Sequence, residues 1–261
     1  MTTDELQFSV CDGVGHIMLN RPHRRNALTF AMYDEIGQIC RAISAGDRPE
    51  INVLMISGGG DKAFAAGTDI SQFRTFSAAD AAEYEEMINR VLTDIEQCPV
   101  PTIALLNGFC TGGGAMIAAT TDIRIASKDM QLGAPIARTL GNCLAIANLR
   151  RLVRLVGEAR VKYMLLTAQL IDADAAATAG FVSEILPDQA ALMARGNELA
   201  QMMAGMAPLT LRATKEGLRR LQLATPLPDD HDLIALCFGS DDFKEGIDAF
   251  FDKRRPDWQG R

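Results

Sequence analysis

The stretch PVPTIALLNGFCTGGGAMIAATTDIRIAS, residues 99–127, decides the fold. Two prolines precede an apolar β-type run from Thr102 to Leu106. Asn107-Gly108 is a turn signal, and three consecutive glycines, 112–114, follow. The small residues after them suit a tightly buried helix, and residues 122–126 alternate like a strand. A strand, a glycine-rich turn and a buried helix together aim free backbone N–H groups at a ligand. Glycines allow the ligand to come close, and the first helical turn favours an anion or a developing oxyanion. The spacing G-F-C-T-G-G-G is neither G-x-G-x-x-G nor a P-loop, because no Lys-Ser or Lys-Thr follows. It is not a G-x-S-x-G nucleophile elbow either.

Working outward, the 261 residues suffice for one large domain, or a domain with a smaller appendage. Hydrophobic residues make up 48%, and the formal net charge of -7 argues against nucleic acid or an anionic membrane as partner. No apolar run approaches the roughly 18 residues of a membrane span. The start, MTTDELQFSV, is acidic and does not read as a secretory leader. Six cysteines lie scattered without a C-x-x-C pair, the pattern of reduced thiols in a cytoplasmic protein. Three distant histidines form no H-E-x-x-H, so no metal site is expected.

N-terminal to the central stretch, residues 6–10 and 14–19 alternate around Cys11-Asp12-Gly13 and predict a β-hairpin. The basic cluster in NRPHRRNAL, residues 20–28, reads on its own as a solvated loop. Thr29 is placed to cap a helix running to about residue 44. Residues 51–56 read as a buried strand and 57–62 as a surface turn. In AFAAGTDI, residues 63–70, small residues after a strand aim the N–H of Thr68 into a cleft, while Asp69 reads as a cap for the next turn. Residues 80–96 form an amphipathic helix with Tyr84, Met87, Ile88, Val91, Leu92 and Ile95 as core.

C-terminal to it, residues 130–136 read as a short strand turning into a loop. A helix follows up to Gly157, then another over 158–167. Asp172 caps a run over 173–179, and residues 181–186 read as a last strand. Beyond residue 189 only helices are expected, broken at Thr225-Pro226-Leu227-Pro228. This is an α/β pattern with a helical C-terminal appendage.

Five segments in this order resemble the enoyl-CoA hydratase/isomerase (crotonase) superfamily: residues 20–28, 63–70, 101–127, 173–182 (ADAAATAGFV) and 241–255 (DDFKEGIDAFFDKRR). The resemblance implies a spiral of β-β-α units over residues 1–188 and a helical trimerisation region over 189–261. It implies a homotrimer or dimer of trimers acting on acyl-CoA thioesters, with coenzyme A as part of the substrate and no tightly bound cofactor. The shared device is an oxyanion hole for a thioester enolate, whose donors map to the N–H groups of Thr68 and Gly113. Coenzyme A contacts map to Arg24 and Ala27, to Ala65, Ala66 and Gly67, and to Phe250 and Lys253 of the C-terminal helix.

The chain departs from that pattern at two positions. Hydratases of the superfamily carry glutamates where this sequence has Met116 and Ile136, and its single-base isomerases keep the second of them. Met and Ile neither take nor give a proton, whereas positioned carboxylates activate the water that adds to an enoyl double bond. Residues 140–144, LGNCL, also replace a glycine-rich loop with about one residue inserted. Candidate substitutes are Asn142, Cys143 and Asp69, although Cys143 reads more readily as a small buried thiol and Asn142 at least as readily as a turn residue. The expected activity is that of a hydratase, dehydratase or isomerase in the broad sense. The alternatives are decarboxylation, in which loss of CO2 itself generates the enolate, and a non-catalytic acyl-CoA-binding subunit. The glycines kept in both oxyanion segments favour an enzyme.

Overall fold

In the computed structural model, which describes residues 4–73, 78–139, 144–223, 241, 245, 252, 254, 257 and 259–261, the strands come in pairs. A hairpin of β1 (Leu6–Cys11) and β2 (Val14–Leu19) opens the chain, and α1 (Phe30–Ala45) follows. Then β3 (Val53–Gly58) and β4 (Ala63–Ala66) lead to α2 (Ala78–Gln97). Next, β5 (Thr102–Leu106) and β6 (Phe109–Thr111) lead to α3 (Gly113–Thr120). The third pair, β7 (Ile123–Ser127) and β8 (Gln131–Gly133), leads to α4 (Ile136–Thr139), α5 (Ile146–Val156) and α6 (Glu158–Leu166). The chain continues through β9 (Ile171–Asp172), α7 (Ala173–Thr178), β10 (Glu184–Leu186), α8 (Gln189–Ala204) and α9 (Pro208–Leu223).

In the three pairs after the hairpin, the first strand joins a six-stranded sheet, β1-β2-β3-β5-β7-β10, which also holds both hairpin strands, and the second joins a four-stranded sheet, β4-β6-β8-β9. Successive units pair in parallel, as in Leu54↔Thr102 and Ile103↔Ile123, so the chain spirals through both sheets. The corner between β5 and β6 needs glycine. Gly108 has φ +50, and a Cβ there would strike the carbonyl of Lys62 in the preceding corner. Asn107 ties the same two corners: its carbonyl accepts from Phe64 N at 2.6 Å, and its amide donates to Gly60 O at 3.2 Å.

The large sheet is apolar on both faces because helices cover both. Val53, Met55, Ile103 and Leu105 pack with Leu192, Leu199 and Met203 of α8. The alternate residues Leu54, Ile56, Ala104 and Leu106 belong to the main core with α1 and α2. Each fully buried Leu or Ile contributes about 1.5–3 kcal/mol. Gly196 lets α8 lie close, since a Cβ there would meet Leu105 Cδ1 at 2.5 Å.

Thr29 caps α1, its hydroxyl accepting from Met32 N at 3.3 Å, and the expected hairpin and the Asp172 cap are present. The loop before α1 is fixed by Asn26, which is fully buried. Its side-chain oxygen accepts from Arg21 N at 2.9 Å, and its amide donates to Gly59 O at 2.9 Å and Ala63 O at 2.8 Å.

The α/β class and the crotonase-like spiral hold, with local corrections. The strand expected over 181–186 is confined to Glu184–Leu186. Phe181 instead turns into the core, where its carbonyl accepts from Arg124 Nε at 2.6 Å and its ring stacks under the guanidinium at 5.1 Å. The strand expected from residue 51 starts at Val53, after a turn in which Ile51 N bonds Arg48 O. Residues 136–139 are a turn of helix rather than loop. Among the described residues, no helix is long and apolar enough to cross a membrane.

Candidate active site

Two segments that are remote in sequence meet at the head of α3. Leu28 and Thr68 form a parallel bridge in which Leu28 N bonds Gly67 O at 2.8 Å and Asp69 N bonds Leu28 O at 2.9 Å. That pairing consumes the groups on either side of Thr68 and leaves its own N–H without an acceptor among the described residues. On the other segment, Gly112 donates to Gly133 O at 2.9 Å, and the helix begins at Gly113. The N–H of Gly113 is a first-turn group and has no acceptor among the described residues.

Close packing holds the two donors together. A Cβ on Gly112 would sit 3.3 Å from the Gly67 Cα, and one on Gly113 would lie 3.1 Å from Thr68 Oγ1. A Cβ on Gly114 would strike the carbonyl of Ala65, so α3 lies directly on the backbone of β4. Gly67 and Gly112 also have positive φ, +97 and +53. Gly113 and Gly114 are therefore required by contact, and Gly67 and Gly112 by turn geometry.

A cleft of about 180 Å³ opens beside these donors. Ala66, Gly67, Thr68, Gly112 and Gly113 form one side, and Met116, Ile136 and Leu144 contribute apolar surface. Both positions that the resemblance assigns to glutamates thus face the cleft with hydrocarbon and sulfur. The loop 24–27 lies against the same strand end, since Ala66 N bonds Arg25 O at 3.0 Å and Ala27 O accepts from Arg21 Nη1 at 2.6 Å. Arg24 is exposed there, and Ala65 is buried behind. Asn142, Cys143, Phe250 and Lys253 lie outside the described residues.

Asp69 is committed elsewhere. Its Oδ2 accepts from Arg21 Nη2 at 2.9 Å, and its Oδ1 accepts from Ser71 Oγ at 2.7 Å and Ser71 N at 3.1 Å. The Ser71 bond, with Arg21 beside it, holds the carboxyl below the ordinary carboxylate range. Asp69 stays ionised and caps the short turn over Ile70–Phe73; it does not line the cleft.

Further polar side chains line the cleft: Tyr33 from α1, Tyr84 and Glu85 from α2, and Asn148 from α5; the sequence reading named only Tyr84 among these, as core. Tyr33 OH and Thr68 Oγ1 are 3.0 Å apart, and Thr68 Oγ1 and Tyr84 OH 2.8 Å. The Tyr33 hydroxyl fills the space a side chain at Gly113 would need. Burial drives its pKa well above that of an ordinary tyrosine, so it keeps its proton and remains a potential donor. Glu85 is half-buried, and burial raises its carboxyl above the ordinary range. One signal was readable: Glu85, Ile88, Asn89 and Leu92 share a face of α2 at helical spacing, which puts an acid on the apolar side.

Residues 10–261 match a model of the enoyl-CoA hydratase/isomerase family, and the chain belongs to that family. It is 34% identical over 243 residues to a crotonyl-CoA hydratase of Syntrophomonas wolfei, covering 92% of each chain. It is 33% identical over 248 residues to a 2,3-dehydroadipyl-CoA hydratase of Escherichia coli, covering 94% of each. A solved enoyl-CoA hydratase/carnithine racemase from Magnetospirillum magneticum superposes with a TM-score of 0.93 at 33% identity, covering 100% of this chain and 97% of that one.

Proposed function

We propose that the protein binds an acyl-CoA thioester and stabilises its enolate between the N–H groups of Thr68 and Gly113, as a lyase or isomerase. The observation that carries this is the meeting of two unpartnered backbone donors beside a cleft. Preorganised donors in a water-poor site contribute about 2.7–4 kcal/mol each to such a transition state. The thioester carbonyl would sit at the head of α3 and the acyl chain would run along Met116 and Ile136. Arg24, exposed beside the Ala66 backbone, is suited to the phosphates of coenzyme A. In this reading Phe250 and Lys253 add further coenzyme A contacts, and residues 189–261 join subunits into a trimer or a dimer of trimers.

Hydration of crotonyl-CoA is expected to be slow. Each missing acid/base group costs about 10²–10⁴-fold, and neither Met116 nor Ile136 replaces one. The test is calorimetry with crotonyl-CoA followed by a hydration assay beside a two-glutamate relative. Binding with hydration orders of magnitude slower is expected. Absence of binding would sink the proposed function, and hydration at the relative's rate would show that another group replaces the glutamates.

A further inference from the structure

We propose that Glu85, which enters the cleft from α2, takes and returns the proton at the acyl carbon next to the thioester carbonyl. The inference rests on the acyl-CoA reading above and supplies the acid/base group that Met116 and Ile136 cannot. Three observations support it. Glu85 lines the same cleft as Thr68 and Gly113. It has no hydrogen bond or ion pair with any described residue, unlike Asp69 in its cap or Glu96 in its pair with Arg151 at 2.9 Å. A half-buried carboxylate left without a partner is costly for a fold, which makes it a marker of function.

The facing helix is arranged to leave that carboxylate free. Arg151 on α5 is 4% exposed and packs against α2, where it pairs with Glu96. Its guanidinium is taken up by Glu96, by Asn89 Oδ1 at 3.0 Å and by Asn148 Oδ1 at 2.9 Å. The bond to Arg151 fixes the Asn148 amide with its oxygen toward the cation. Its nitrogen has no partner among the described residues, and the residue lines the cleft. Asn148 therefore offers an N–H donor, and no charge, to whatever Glu85 works on. Burial is the only cause of the raised Glu85 pKa, and a base closer to neutrality is the stronger proton acceptor.

The step balances without a co-reactant. The Cα–H bond of the acyl group breaks, and its proton passes to a Glu85 carboxylate oxygen. The electron pair moves into the enolate, whose oxygen is held by Thr68 N–H and Gly113 N–H. Return of the proton from Glu85 to carbon completes an exchange, and delivery to a carbon further along a conjugated chain completes an isomerisation.

Butyryl-CoA in D2O is the probe, with deuterium at C2 read by mass spectrometry and binding read by calorimetry. Wild type is expected to exchange. Glu85→Gln keeps the shape of the side chain and is expected to bind butyryl-CoA as wild type does, yet to exchange at least about 100-fold more slowly. Equal exchange by Glu85→Gln overturns the role of Glu85 and leaves the oxyanion site standing. Binding without exchange in wild type also overturns it. Failure to bind butyryl-CoA or crotonyl-CoA at all overturns the acyl-CoA reading, and this proposal falls with it.

Discussion

The two walls of the cleft present different kinds of group. One wall, at the head of α3, presents main-chain amides flanked by glycine or alanine: Ala66, Gly67, Gly112 and Gly113. The other wall, from α1, α2 and α5, acts through side-chain groups: Tyr33, Tyr84, Glu85 and Asn148. The first wall cannot change its chemistry without changing the backbone, and the backbone is pinned by contacts such as Gly114 on the Ala65 carbonyl. The second can be altered one residue at a time while the scaffold persists. Under the proposed function, reaction type is set by the helices, and enolate stabilisation by the sheet corners.

The comparison predicts that damage to the first wall is structural and catalytic together. Gly113→Ala drives a methyl into the Tyr33 hydroxyl. The expected cost is about 1–3 kcal/mol of stability from overpacking, read by denaturant unfolding. Loss of a correctly placed donor is expected to slow butyryl-CoA exchange by about 10²–10³-fold. A variant that is as stable and as fast as wild type would show that the two walls are not in contact there.

Tyr33→Phe is the milder probe, since Thr68 keeps its bond to Tyr84. About 1 kcal/mol of stability is expected to go, the net worth of one hydrogen bond. Stability lost with exchange intact marks Tyr33 as a brace for Thr68 rather than a donor to substrate.

The smallest stability effect, and of opposite sign, is expected at Glu85. Its folded-state pKa is raised by burial, so the ionised carboxylate lowers stability at neutral pH, and that cost disappears as acid protonates it. Glu85→Gln removes the charge, and its Tm at neutral pH is expected at or above that of wild type even as exchange collapses. A clear drop in Tm would assign Glu85 to the fold instead.

This division also explains what was legible in the sequence. Main-chain chemistry leaves a contiguous trace, because the glycines it requires are neighbours: Gly67, and Gly112 to Gly114. The turn at Asn107-Gly108, the Thr29 cap and the hairpin were readable for the same reason, each being local. Of the small sheet, β8 was readable as the short strand within residues 130–136, but its neighbours were not. Phe109–Thr111 and Ile171–Asp172 are too short to show a period of two, and their pairing partners lie more than twenty residues away. The side-chain wall was hidden differently. Tyr84 carries apolar bulk at a core spacing, and its hydroxyl acquires meaning only when Thr68 arrives from the segment after β4. Helical spacing puts Glu85 on the apolar side of α2, but that α5 brings no cation to it is a property of the folded protein alone.

The buried Asn26 has a consequence for binding. Its three hydrogen bonds, with the Ala66 N to Arg25 O bond beside them, settle the conformation of loop 24–27 from inside the protein. Ordering a residue costs about 1–2 kcal/mol of backbone entropy, and here that cost falls on folding. A ligand meeting this loop finds a surface already shaped, so its association owes little to immobilising the chain around it.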